Sequence, residues 1–307
     1  MTDFIRIPSN PIPDGAKTFM FAAPDGAKLR GAFFPVADAR GTIVLEPGWA
    51  EFIEKYFETI GRLHARKFNV AMMDWRGQGL SDRESAREAK WKNYFHILRE
   101  DLRHFTEAHV KPRFGAPMML MTHSMGGMPA LMLLADGYDG FERALLCAPM
   151  TRLFAGPANA VFTAVSAITS AIGLGAAPVT SKEDDSKAFE GNILTSDPAR
   201  HERFRQLQLA EPSAANAAPT FGWVHAATKT SKEMHQPGFF DNLQIPVRII
   251  TAGEEKLIDG GDHATIAANS DRIERVIIPG ALHEIMMERD EVQEPYWKAF
   301  DTFVATG

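Results

Sequence analysis

Short apolar runs bounded by turn residues alternate with longer amphipathic stretches along the chain, and this alternation restricts the possible folds more than any other feature. The runs are "TIVLEPG" (Thr42–Gly48), "NVAMMDW" (Asn69–Trp75), "PMMLMTH" (Pro117–His123), "ALLCAPM" (Ala144–Met150), "VRIITAG" (Val247–Gly253) and "RVIIPG" (Arg275–Gly280). Between them lie stretches such as "EFIEKYFETIGRLHARK", in which Phe52, Tyr56, Ile60 and Leu63 recur at helical spacing. Strands that alternate with helices predict an α/β fold, a mostly parallel central sheet flanked by helices. Ahead of it, "KTFMFAAPDGAKLRGAFFPV" predicts an antiparallel hairpin, because Asp25-Gly26 is a strong hairpin turn signal.

The alternation stops near Met150 and resumes near Pro246. This predicts a helical cap inserted at residues 151–242, with residues 1–150 and 243–307 forming the main domain. From Leu153 to Ser181 there is no charged residue. Ala, Gly, Ser and Thr dominate that stretch, which is too weakly apolar for a membrane-spanning helix. It reads instead as a lid over an apolar pocket, with peripheral contact at the inner face of a membrane left open. Phe154, Val161, Phe162, Val165, Ile168 and Ile172 supply large apolar side chains, the last four at three- and four-residue steps, so one helix face can line an acyl-chain pocket, with Phe154, Phe162, Val165 and Ile168 as the candidate substrate contacts. The same face could equally pack on the main domain.

Composition narrows the function. With 45% hydrophobic and 23% charged residues the chain is globular rather than disordered. A net charge of −6 gives no basic field for nucleic acid, so the expected partner is a small molecule. Cys147 is the single cysteine, which excludes an intramolecular disulfide and metal sites built on several thiolates. No metal and no organic cofactor is expected, and oligomeric state is left open. The first residues lack a basic segment followed by an apolar one, so residence in the cytoplasm is expected.

The chemistry centres on "PMMLMTHSMGGMPALMLL", where a run of Met and Leu breaks around Ser124. A core strand running into a turn would explain the break, but it predicts nothing further along the chain. A nucleophile elbow, with the serine on a strained strand-to-helix turn, predicts a downstream carboxylate and then a histidine. Both are present at strand ends. "EEKLID" follows "VRIITAG" and offers Glu254, Glu255 or Asp259, and "ALHEIMMERD" follows "RVIIPG" and offers His283. A serine hydroxyl needs an imidazole to take its proton, and the imidazole needs a carboxylate to fix its tautomer. By position Glu255 is the expected acid, Asp259 the alternative and Glu254 the third choice. The oxyanion hole is expected from the amides of Met125, after the nucleophile, and of Trp49, in "LEPGWAEF".

These residues resemble the α/β-hydrolases that include bacterial lysophospholipases and monoacylglycerol lipases, in the serine aminopeptidase-like branch. The resemblance runs from about Gly31 to the C-terminus, through "EPGWAEFIEKY", "DWRGQGLSDR", "HSMGG" and "GALHEIMMERD", and through "GNILTSDPARHERF" and "APTFGWVHAA" in the cap. It implies an α/β-hydrolase fold with Ser124 as nucleophile, His283 as base and Glu255 as acid. The pattern departs at Thr122, where the family has Gly, and at Glu255, where most relatives have Asp. In "DWRGQGLSDR", Gly77 and Gly79 permit a compact turn that a local Asp74–Arg76 ion pair could anchor.

The expected activity is hydrolysis of an acyl ester of a lysophospholipid or monoacylglycerol. An aminopeptidase, amidase or lactonase would use the same residues, with the acidic run "SKEDDSKAFE" (Ser181–Glu190) available to a peptide N-terminus. A non-catalytic ligand-binding scaffold is the remaining alternative. Haloalkane and epoxide chemistry would need a carboxylate at the elbow.

Overall fold

The structure, a computed structural model, describes residues 3–83, 93–179, 189–216 and 218–305. Its sheet has eight strands in the order β1-β2-β4-β3-β5-β6-β7-β8. They are β1 (Lys17–Ala22), β2 (Lys28–Phe34), β3 (Gly41–Glu46), β4 (Phe68–Met73), β5 (Met118–His123), β6 (Arg143–Cys147), β7 (Val247–Ala252) and β8 (Ile273–Ile278). Every apolar run singled out above forms a strand, and the turn residues that close it fall in the loop beyond. β1 and β2 form the expected hairpin about Asp25-Gly26, where Gly26 takes φ +89°. β2 is also antiparallel to β4, and the remaining pairs are parallel.

Helices cover both faces. The stretch after β3 opens as a 3-10 turn, Ile53–Tyr56, and continues as α1 (Phe57–Ala65). After β4, α2 (Tyr94–Phe105) runs through a π-helical turn, Thr106–Val110, into α3 (Lys111–Phe114). α4 (Gly127–Ala135) follows β5, α8 (Asp262–Ala267) follows β7, and α9 (Asp290–Ala305) closes the chain. Ile60 and Leu63 of α1 and Tyr296, Trp297 and Phe300 of α9 pack with Val70, Met119 and Met121 on one face. Leu98 and Leu102 of α2 and Leu131 of α4 pack with Leu120 and Leu146 on the other.

This layering explains the Met- and Leu-rich run. Alternate residues of β5 feed opposite cores, so the central parallel strand is apolar at successive positions. α4, held between β5, α2 and a helix of the insertion, buries every one of its residues.

The segment between β6 and β7 contains α5 (Gly156–Ala171), α6 (Pro198–Ala210) and α7 (Phe221–Met234). Asp197 caps α6 by accepting from the amides of Ala199 and Arg200, and Thr220 caps α7 by accepting from Trp223 N–H. α5 lies along α7, and α7 packs on α2 and α4. The acidic run from Ser181 lies, through residue 188, outside the described residues.

The Gly77–Gly79 turn is anchored differently from expectation. Asp74 accepts from Arg30 Nε at 2.7 Å and from the amides of Ile53 at 3.0 Å and Leu80 at 2.9 Å. Arg76 reaches away to Asp101 on α2, at 2.9 and 3.0 Å, and to Asp25 in the hairpin turn. The turn swings these two side chains in different directions, so each finds a partner on another element and the local Asp74–Arg76 pair does not form.

Candidate active site

β5 ends at His123, and the next residue, Ser124, has φ +48°, a left-handed conformation that is costly for a residue with a Cβ. The glycines after it are required sterically. A Cβ on Gly126 would stand 2.7 Å from the carbonyl oxygen of Pro47, and one on Gly127 would stand 2.4 Å from Pro149 Cβ. Thr122, in the position where the resembling pattern has Gly, is fully buried in register with Glu46 of β3. Burial pushes the Glu46 carboxyl well above the ordinary carboxylate range.

Ser124 Oγ lies 2.8 Å from His283 Nε2, and His283 Nδ1 lies 2.8 Å from Glu255 Oε2. The three side chains thus form one hydrogen-bonded chain although they come from loops after β5, β7 and β8. Glu255 is itself fixed, because Oε1 accepts from the amides of Leu257 at 2.8 Å and Ile258 at 3.3 Å. Burial alone would raise its carboxyl, but the His283 imidazole and these two amides hold it below the usual range. Asp259 faces Arg152 instead, at 3.5 Å, and Glu254 is exposed.

The loop around Trp49, where one oxyanion amide is expected, is gripped by neighbouring side chains. Gly48 N–H donates to Glu51 Oε2 at 2.5 Å, Ala50 N–H donates to Gln78 Oε1, and the Pro47 carbonyl accepts from Trp75 Nε1 at 2.8 Å. The amides on either side of Trp49 are therefore engaged. The Trp49 ring packs at a tilt of 49° against Trp223 of α7, with centroids 4.7 Å apart, and Met125, next to Ser124 in the chain, is fully buried.

Beneath the site lies a buried cluster of charges. The Glu51 carboxylate accepts from Tyr56 Oη at 2.5 Å, Lys55 Nζ at 2.7 Å and His123 Nδ1 at 3.1 Å. Lys55 Nζ also donates to Glu284 at 2.6 Å, next to His283. Burial would raise the Glu51 carboxyl, yet the charges of His123 and Lys55 hold it well below its ordinary range. Sequence reasoning missed Glu51, Lys55, His123, Glu284 and Gln78. Glu51 and Lys55 sit four residues apart in a stretch of helical period, which ordinarily marks a solvated face. The one available signal was their place beside the Trp49 loop.

The four candidate substrate contacts divide. Phe154 and Phe162 stack at 4.3 Å, with Phe154 partly buried and Phe162 still 37% exposed. Val165 and Ile168 stand at the surface, 43% and 63% exposed, on a stripe with Val161 and Ile172. Among the described residues, nothing of the main domain covers Val161, Val165, Ile168 or Ile172.

A family model described as serine aminopeptidase, S33, matches residues 37–290. The chain is 25% identical over 272 residues to the probable lysophospholipase L2 of Haemophilus influenzae, covering 88% of this chain and 85% of that protein. It is 27% identical over 293 residues to lysophospholipase L2 of Escherichia coli, covering 89% and 83%. In three dimensions it matches the crystal structure of a soluble variant of monoglyceride lipase from Saccharomyces cerevisiae, with a TM-score of 0.73 at 20% identity over 94% of each chain. That likeness shows a shared fold.

Proposed function

The chain belongs to the serine aminopeptidase S33 family of hydrolases and has the α/β-hydrolase fold, and from this premise we propose that it cleaves the acyl ester of a lysophospholipid or monoacylglycerol through Ser124, His283 and Glu255. The observation that carries the reading is the continuous chain Ser124 Oγ, His283 Nε2, His283 Nδ1 and Glu255 Oε2, with 2.8 Å at each hydrogen bond.

Ser124 Oγ attacks the ester carbonyl while His283 Nε2 takes its proton, and Glu255 stabilises the resulting imidazolium. The amides of Met125 and Trp49 receive the developing oxyanion. Collapse of the intermediate breaks the bond to the glycerol oxygen, which takes the proton from His283 and leaves an acyl group on Ser124. Water, deprotonated by His283, then releases the fatty acid.

We assign residues 151–242 as a cap over this site. Phe154 and Phe162 form its apolar wall for the acyl chain, while Val161, Val165 and Ile168 on α5 and Ile172 just past its end stand exposed in a charge-free segment. This outward stripe supports peripheral contact with the lipid surface that presents the substrate. No described helix is long and apolar enough to cross a membrane.

The test is fatty-acid release from monoolein and from oleoyl-lysophosphatidylcholine, side by side, with Ser124→Ala as control. Release abolished by the substitution supports the reading, and the preferred lipid names the head group. Hydrolysis of an aminoacyl amide with neither lipid cleaved would favour peptidase or amidase chemistry. No reaction of the folded chain with a serine-directed fluorophosphonate would favour a ligand-binding scaffold.

A further inference from the structure

Both ring nitrogens of His123 face acceptors. Nδ1 lies 3.0 and 3.1 Å from the two carboxylate oxygens of Glu51, and Nε2 lies 3.2 Å from the main-chain oxygen of His283. A neutral imidazole carries one N–H, so one of these acceptors would face a lone pair in a site where His123 is only 2% exposed. The doubly protonated ring donates to both. Charge balance points the same way. Glu51 and Glu284 share the single cation of Lys55, and one more positive charge neutralises the cluster.

We infer that His123 is a constitutively charged imidazolium that acts as a positioning residue for the site. Through Glu51 it is joined to the Gly48 amide of the oxyanion loop, and through its own Nε2–H it holds the backbone of His283. Its ring centroid lies 5.1 Å from that of His283, so the two rings pack side by side under the elbow. One buried ion cluster therefore sets the oxyanion loop, the elbow and the histidine loop in a single geometry.

The groups that face His123 act in both directions. Burial disfavours the cation, the Glu51 charge and hydrogen bond favour it most strongly among the neighbours, Lys55 opposes it and Glu284 favours it, with a net rise above the ordinary histidine value. Tyr56 hydrogen-bonds to Glu51, and the neutral thiol of Cys147 lies in register with His123 on β6.

The charge state does not depend on the proposed activity, whereas its effect on rate rests on Ser124 and His283 acting as described above. The experiment is nitrogen-15 NMR of the full chain labelled at histidine, from about pH 5 to about pH 9, with the signal assigned by its loss in His123→Gln. If that variant fails to fold, the ring is assigned in the wild-type chain through its coupling to the backbone of residue 123. Two ring N–H groups with imidazolium shifts across the neutral range are expected. A neutral tautomer at about pH 7 overturns the inference.

Glu51→Gln removes the counter-charge and should bring the His123 titration down into the observed range. In the same variant kcat for a soluble ester should fall at least about tenfold with KM within about twofold. Unchanged kcat would overturn the positioning role. If the wild-type chain hydrolyses no ester, the activity reading fails, and the NMR result still decides the charge on His123.

Discussion

Glu255 Oε2 meets His283 Nδ1 at 2.8 Å while its other oxygen is occupied by the amides of Leu257 and Ile258. A carboxylate fixed at both oxygens can hold only one imidazole tautomer in place. Glu255→Gln should therefore lower kcat by roughly 10³–10⁴ with little change in fold stability. Asp259→Asn, which disturbs only the contact with Arg152, should leave kcat within about threefold. Steady-state kinetics on one soluble ester decides between them, and the reverse ranking would move the acid to Asp259.

The outward stripe of α5 makes a separate claim. Val161 on α5 and Ile172 just past its last residue are 60% and 67% exposed. Placing a carboxylate at each, as Val161→Glu with Ile172→Glu, should weaken binding to phospholipid vesicles by at least about tenfold. Hydrolysis of a water-soluble ester should be unaffected. Equal co-sedimentation of the variant and wild-type proteins with vesicles would remove the membrane-contact reading.

Glu58 should contribute to stability in acid. It is clasped by Arg200, with Nε at 3.0 and 3.1 Å, and by Arg203, and these hydrogen bonds overcome burial to bring its carboxyl down to about 2. A depressed carboxyl contributes stability above its unfolded value, ordinarily 4.5, and loses it as pH falls through the folded value. Wild type should exceed Glu58→Gln by on the order of 1 kcal/mol after solvent screening. Urea melts should show the gap closing between about pH 4.5 and about pH 2, and a gap independent of pH would contradict the ion-pair account.

Gly79 and Gly26 share a positive φ but differ in their surroundings. At Gly79, φ +53°, an added Cβ would fall 2.2 Å from Asp74 Oδ2, whereas at Gly26, φ +89°, it would meet nothing within 4 Å. Gly79→Ala should cost about 2–4 kcal/mol and Gly26→Ala about 1 kcal/mol. Equal losses in thermal melts would mean that the Asp74 cluster yields more easily than its buried hydrogen bonds imply.

Whatever depends on near neighbours along the chain was readable in the sequence. The alternation of apolar runs and helical stretches set the strands, because side-chain period is a local property. Ser124 with Gly126 and Gly127 marked a sharp turn because close backbone approach excludes side chains there. The order of Ser124, carboxylate and His283 followed from loops that succeed strands.

Contacts between distant segments decided the rest. Spacing could only rank Glu254, Glu255 and Asp259, since a loop residue's direction is set by what packs around it. The cluster under the site joins Lys55 to Glu284 across 229 positions of sequence and encloses charges that composition would assign to solvent. Asp74 and Arg76, neighbours in sequence, ended on different partners, and the apolar face of α5 ended in the open. A charge can be buried only where another element brings its counter-charge, and an apolar face is covered only where another element reaches it, so tertiary structure alone settles both.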